Sequence, residues 1–128
     1  MPIKKIFLLF FISLLMTGCG QAASPAGDAR AGDALFHQTS IDSAPACLTC
    51  HSTEPNKVIV GPSLAGVARR AGERVPGQTA EEYLRNCIIN PNEYVVEGFS
   101  RGLMYQKYKE VLTETQINDL IAYLSTLK

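Results

Sequence analysis

Two cysteines and a histidine stand together in the segment Cys47-Leu48-Thr49-Cys50-His51. This C-x-x-C-H spacing is typical of a c-type haem attachment site. The thiols of Cys47 and Cys50 can reach the two vinyl groups on one edge of a porphyrin and form thioethers with them. The imidazole of His51 is then held beneath the iron as an axial ligand. The motif therefore predicts one haem c, bound covalently through both cysteines.

Other chemistries of the same residues remain as alternatives. A zinc site would need four ligands, and the remaining candidates, Cys87 and His37, form no second ligand pair in the sequence. A thioredoxin-like dithiol would require a βαβ pattern around the motif, which the sequence lacks. A structural disulfide between Cys47 and Cys50 would be strained. Haem attachment is the interpretation that the pattern favours.

The second axial position of the iron needs a donor of its own. Removal of an N-terminal signal leaves Met104 as the only methionine. A thioether is a soft, neutral donor that favours ferrous iron and raises the reduction potential. We therefore expect His51 and Met104 to be the two iron ligands, with His37 as the rival for the second position.

Length and charge limit the classes of function. The 128 residues have a mass of 13.9 kDa, which corresponds to about one domain. Twelve lysines and arginines balance twelve acidic residues, so the basic surplus of a general nucleic-acid binder is missing. Only one long apolar run is present, which excludes a protein with several membrane spans.

The first residues have the pattern of an export signal. A lysine pair precedes an apolar stretch over residues 6–16, which is too short to span a bilayer comfortably. The stretch ends in Met-Thr-Gly-Cys, which resembles a bacterial lipoprotein signal with lipidation at Cys19. Ordinary cleavage near Ala22 or Ala23 and a retained membrane anchor are the alternatives.

The signal divides the chain into three parts. We predict a signal peptide over residues 1–18, a flexible tether of small residues over 19–27 and a folded domain over 28–128. This boundary places every candidate site residue except Cys19 within the folded domain.

Three helices are predicted in the folded domain. Asp28 can cap the first, while Thr79 and Thr113 each begin a capping box that starts a later helix. Pro91 ends the middle helix, because the residue before a proline disfavours helical geometry. Residues 38–78 show little periodicity, which suggests a chain that surrounds a bulky prosthetic group.

At this point the sequence resembles a class I cytochrome c over residues 28–128. The motifs follow the order of that family: Gly32 and Phe36 in the first helix, Cys47, Cys50 and His51, the segment 61–66, Asn90-Pro91 with Tyr94, and Met104. The resemblance implies an all-α fold in which three to five helices with long loops surround one covalently attached haem.

The same resemblance implies roles for residues beyond the attachment motif. The carbonyl of Pro62 would accept a hydrogen bond from Nδ1 of the axial histidine, which fixes the ring and makes it a better donor. Leu64 would pack on the proximal side of the haem. Arg70 would lie near the propionates, with Arg69 and Arg74 as alternatives.

The resemblance further implies a one-electron carrier, not an enzyme. Its partners would be an electron donor such as a quinol-oxidising complex and an acceptor such as a terminal oxidase or a photosynthetic reaction centre. We expect an exported monomer that binds no nucleic acid, either held at the outer face of the cytoplasmic membrane by a lipid on Cys19 or free in the periplasm. A fixed haem subunit of an oxidase or dehydrogenase is the alternative, and a haem gas sensor is the third candidate.

Overall fold

The computed structural model describes residues 26–128. The predicted signal peptide 1–18, the predicted lipidation site Cys19 and residues 20–25 of the predicted tether lie outside this part of the chain. The elements in chain order are α1 Ala29–Phe36, β1 Ser40–Ile41, β2 Ala44–Pro45, a 3-10 helix Cys47–Thr49, α2 Val67–Ala71, α3 Ala80–Ile89, α4 Tyr108–Val111 and α5 Glu114–Thr126.

The described residues are mainly helical. They form five α-helices, and their two short strands pair only with each other as an antiparallel hairpin. The expectation of three to five helices with long loops is therefore confirmed. Across residues 26–128, no helix is both long enough and apolar enough to cross a membrane.

Side-chain caps determine where the three longest helices begin, as the sequence predicts. Oδ1 of Asp28 accepts the N–H of Arg30 at 2.8 Å at the start of α1. Thr79 and Thr113 begin α3 and α5 with complete capping boxes, which satisfy backbone amides that have no partner within the helix. The backbone N–H and the hydroxyl of Thr79 both donate to Glu82, which lowers the pKa of that carboxyl below its usual value.

α1 and α5 cross at a glycine. A Cβ placed on Gly32 would lie 1.9 Å from the carbonyl oxygen of Asp119 and 2.8 Å from Cβ of Tyr123. The two backbones therefore approach more closely than any other residue at this position allows. The rings of Phe36 and Tyr123 pack beside the crossing with their centroids 5.3 Å apart. Oδ1 of Asp119 also accepts the N–H of Asp28 at 2.7 Å, which joins the start of α1 to α5.

The apolar face of α5 forms much of the core. Ile117, Leu120, Ile121 and Leu124 are buried, whereas Leu127 is the C-cap residue and is only partly buried. Burial of these four side chains is the main favourable contribution of α5 to folding, because each buried aliphatic side chain contributes about 1.5–3 kcal/mol.

Residues 38–78 contain more regular structure than the sequence predicts. Both the hairpin and α2 lie in this stretch. α2 begins after Gly66, whose φ of +61° is left-handed, and no side chain caps the helix, so the usual start signal is missing. The β-branched run 58–60 forms no strand and is exposed.

Gly32→Ala tests the close helix crossing. The added methyl group would collide with the backbone of α5, so we expect the free energy of unfolding to fall by about 1–3 kcal/mol. Gly72→Ala is the matched control, because its Cβ would meet Ala80 at an ordinary 3.8 Å and its φ of −66° suits alanine. Denaturant unfolding measures both variants, and equal stabilities would contradict the crossing geometry.

Candidate functional site

One cavity brings the predicted site residues together. Its volume is about 190 Å³ and its walls are mainly apolar. Seven residues that the sequence singles out line it: Cys47, Cys50, His51, Pro62, Leu64, Arg70 and Met104. His37 is not among the lining residues, since it lies exposed at the end of α1 with its ring against Tyr123. Of the two candidates for the second iron position, Met104 lines the cavity and His37 does not.

A single tight turn orients the two cysteines. Side chains three positions apart eclipse each other in a 3-10 helix, so the thiols of Cys47 and Cys50 project from the same side of the turn. The N–H groups of Cys50 and His51 both donate to the carbonyl of Cys47, at 3.1 and 2.9 Å. Burial raises the pKa of the Cys47 thiol to about 11, so this thiol is protonated at neutral pH before it reacts.

The imidazole of His51 is fixed by the backbone beneath it. Nδ1–H donates to the carbonyl oxygen of Pro62 at 2.9 Å, which is the hydrogen bond that the resemblance implies. Burial lowers the pKa of His51, so the ring is neutral at pH 7 and Nε2 keeps its lone pair. A Cβ on Gly61 would lie 2.5 Å from Cε1 of His51, so only glycine lets the chain pass this close to the ring.

The chain that follows the attachment motif folds back on it. The carbonyl of Cys50 accepts the N–H groups of Val60 and Gly61 at 3.1 and 2.8 Å. Ser52 is buried, and its carbonyl accepts the N–H of Leu64 at 2.8 Å. These bonds hold Leu64 on the wall of the cavity, beside the histidine.

Arg70 reaches this folded-back segment from α2. Its guanidinium donates to the carbonyl of Ala65 at 2.5 Å and to that of Ser63 at 3.2 Å. Arg70 and Arg74 both line the cavity, whereas Arg69 does not. The role of Arg70 toward the propionates stays a prediction, and Arg74 is the alternative that the geometry retains.

Four tyrosines form a part of the cavity wall, and of these the sequence analysis singles out only Tyr94. Tyr83 packs edge-to-face on Tyr94 with centroids 5.4 Å apart, and Tyr105 packs the same way on Tyr108 at 5.0 Å. All four line the cavity. The hydroxyl of Tyr108 donates to the carbonyl of Pro45 at 2.7 Å, which joins α4 to the hairpin. No local motif marks these tyrosines as a group, because separate segments of the chain contribute them.

Cys87 lies between the core and the cavity. The sequence predicts a small core residue on the buried face of the middle helix, and Cys87 does pack against the core. It also lines the cavity together with Tyr83, one turn earlier on α3. Burial raises the pKa of its thiol. Residues 26–128 hold no group of three or more metal-binding side chains, so the zinc alternative lacks a ligand set there.

The comparisons with known proteins identify the family. The family model for cytochrome c matches residues 29–128. The chain belongs to the cytochrome c family. Two proteins named cytochrome c2, both from Rhodopseudomonas palustris, are similar to it. One is 26% identical over 149 aligned positions, which cover 98% of this chain and 99% of the relative. The other is 28% identical over 124 positions, which cover 79% of this chain and 99% of the relative.

This cytochrome c carries haem c, bound covalently through Cys47 and Cys50, and functions in haem-based electron transfer. The cavity fits that group by the chemistry of its donors. Cys47 and Cys50 project from one turn and would hold the haem through its vinyl groups, and the neutral imidazole of His51 follows directly after the second thiol. Mainly apolar walls suit a porphyrin, which would add apolar surface to the core of the domain.

Replacing Cys50 with alanine should leave a single thioether. One vinyl group then stays conjugated with the porphyrin, so the main visible band of the reduced pyridine haemochrome should move to longer wavelength. Cys87→Ala is the matched control and should leave that band where it is in the unaltered protein. Absorption spectra of the two purified variants make the comparison. An unshifted band in Cys50→Ala would contradict attachment through this residue.

Proposed function

We propose that this cytochrome c is a one-electron carrier whose haem iron is bound by His51 on one side and Met104 on the other. The observation that carries the proposal is that both side chains line a single apolar cavity beside the attachment cysteines. When bound, haem supplies a one-electron iron couple. Nε2 of His51 is free to donate to a metal, because Nδ1–H is already engaged by Pro62.

In this proposal the protein holds two donors in fixed positions. The hydrogen bond to Pro62 fixes the orientation of the His51 ring and increases its basicity. The thioether of Met104 favours the ferrous state, and apolar walls disfavour the additional charge of the ferric state. With both axial positions taken by side chains, no position remains for a substrate. We therefore propose an electron carrier and not an enzyme.

We also propose that the domain 28–128 acts outside the cytoplasm. The signal pattern supports export, and Cys19 is the proposed site of a lipid that would hold the carrier at the outer face of the cytoplasmic membrane. The tether 19–27 would then limit the search for partners to the membrane surface. The proposed partners are a quinol-oxidising complex as donor and a terminal oxidase or reaction centre as acceptor. The mass of the mature N-terminal peptide tests the lipid.

The exposed large apolar side chains of residues 26–128 lie in the attachment motif, in the loop that follows it and next to Met104. They are Leu48, Val58, Ile59, Val60 and Leu103, which we call the apolar rim. Val60 and Leu103 also line the cavity, and Leu48 lies between the two attachment cysteines. Lys57, in the same loop, is paired with Glu54 at 2.7 Å, so this pair adds no net charge. We propose that the rim docks on an apolar surface of a partner redox protein.

Met104→Ala should open the second axial position. We expect the near-infrared band of sulfur-ligated ferric iron to vanish and the reduction potential to fall, because the donor that favours ferrous iron is lost. Carbon monoxide should then bind the reduced protein rapidly. An unchanged spectrum and potential would contradict ligation by Met104.

Rapid carbon monoxide binding by the unaltered protein would favour the gas sensor, and co-purification with an oxidase at fixed stoichiometry would favour the fixed subunit.

Electron exchange between oxidised and reduced copies tests the apolar rim. Because the rim is uncharged, the second-order rate constant should change little with ionic strength. Ile59→Lys should slow exchange several-fold at low salt, since like charges would meet in the encounter complex. Ala34→Lys adds the same charge on the exposed face of α1 and should slow it much less. Exchange broadening in NMR spectra measures the rates, and equal slowing by both variants would argue against docking through the rim.

A further inference from the structure

Met104 lies in a loop that has few hydrogen bonds along its own backbone. The loop runs between the end of α3 and the start of α4. Within residues 94–106, the backbone–backbone hydrogen bonds are two local turns, and neither connects the loop to another part of the domain. The position of Met104 therefore depends on side chains.

Two side-chain amides connect this loop to the end of α3. Oδ1 of Asn92 accepts the N–H of Gly102 at 2.7 Å. Nδ2 of Asn92 donates to Oε1 of Gln106 at 2.5 Å, and Nε2 of Gln106 donates to the carbonyl of Met104 at 2.5 Å. These three bonds fix the backbone two residues before the methionine and at the methionine itself.

We propose that Asn92 and Gln106 are positioning residues that hold the Met104 thioether on the iron. The inference rests on the proposed ligation by Met104. We call the pair the amide brace. A primary amide carries a donor and an acceptor in one side chain, so each member can bind two partners at once. Because both members are neutral, they hold the loop without adding charge next to the site.

The two ends of the brace differ in stiffness. Asn92 lies in a turn at the end of α3, where the N–H of Glu93 donates to the carbonyl of Asn90 at 2.9 Å. At the other end Gly102 has a φ of +79°, and no atom lies within 4 Å of the position its Cβ would take. Glycine is therefore required there for its left-handed backbone and not for space. The end of α3 thus restrains a loop whose own backbone makes only local hydrogen bonds.

Loss of the brace should make the thioether easier to displace. A ligand added from solution competes with Met104 for the iron, so its apparent affinity reports how firmly the loop holds the sulfur. One neutral hydrogen bond lost corresponds to roughly a fivefold change in such an equilibrium. Asn92→Ala and Gln106→Ala each remove two of the three bonds, so each should raise the affinity of the ferric protein for imidazole by roughly 25-fold.

The experiment titrates the ferric holoprotein with imidazole and follows the near-infrared band of sulfur-ligated iron. Asn92→Asp keeps the acceptor for Gly102 but loses the donor to Gln106, so its affinity for imidazole should be intermediate. The double variant, Asn92→Ala with Gln106→Ala, should show less than the product of the single effects, because the two residues share a bond.

Gln116→Ala is the matched control. It removes a glutamine of the α5 capping box, whose side chain accepts the N–H of Thr113 at 2.9 Å, outside the brace. It should lower the free energy of unfolding and leave imidazole affinity unchanged, which separates positioning from general stability.

The outcomes separate the claim that Asn92 and Gln106 form a brace from the claim that Met104 binds the iron. Wild-type imidazole affinity in Asn92→Ala and Gln106→Ala, with the sulfur band present, would overturn the brace and leave ligation by Met104 intact. If the unaltered protein lacks the sulfur band, ligation itself fails and the brace falls with it. If Gln116→Ala raises imidazole affinity as much as the brace variants do, the effect comes from stability and the brace is wrong.

Discussion

The hydrogen bond from Nδ1–H of His51 to the carbonyl of Pro62 is the constraint on which the site depends. It selects the tautomer that leaves Nε2 as the donor atom, and it requires the chain to pass directly beneath the ring. That passage is possible only because Gly61 has no Cβ. The carbonyl of Cys50 closes the same turn, so the attachment motif and the segment after it form one unit.

The helical frame also takes part in the site, because Phe36 of α1 and Leu120 and Leu124 of α5 line the cavity. α1 and α5 cross at Gly32, where the backbone of α1 contacts the backbone of α5 directly. The porphyrin site then fills the space that α2, α3 and the loops leave open. Buried side chains of α1, α3 and α5 form a core, and a covalently held porphyrin would add apolar surface to it as well as serve as the reactive group.

Local chemistry explains which parts could be predicted from the sequence. Asp28, Thr79 and Thr113 begin helices because their side chains bond amides a few residues away, and that information is local. α2 was missed, because it starts at a left-handed glycine without a capping side chain. The attachment motif and Met104 can be predicted from their residue types and spacing. The tyrosines that line the cavity and the two residues of the amide brace could not be predicted as groups, because distant segments of the chain contribute them.

The two sides of the proposed iron site are held by different means. His51 is adjacent to a covalent attachment point and is bonded to the backbone of a tightly folded segment. Met104 belongs to a loop whose tie to the rest of the domain passes through neutral side-chain amides. These three bonds are exposed to water, so in the proposed site we expect the methionine side to open more easily than the histidine side. If Met104 binds the iron as proposed, a few hydrogen bonds around residue 104, and not the attachment motif, would distinguish a carrier, which must stay closed, from a gas-binding protein, which must not.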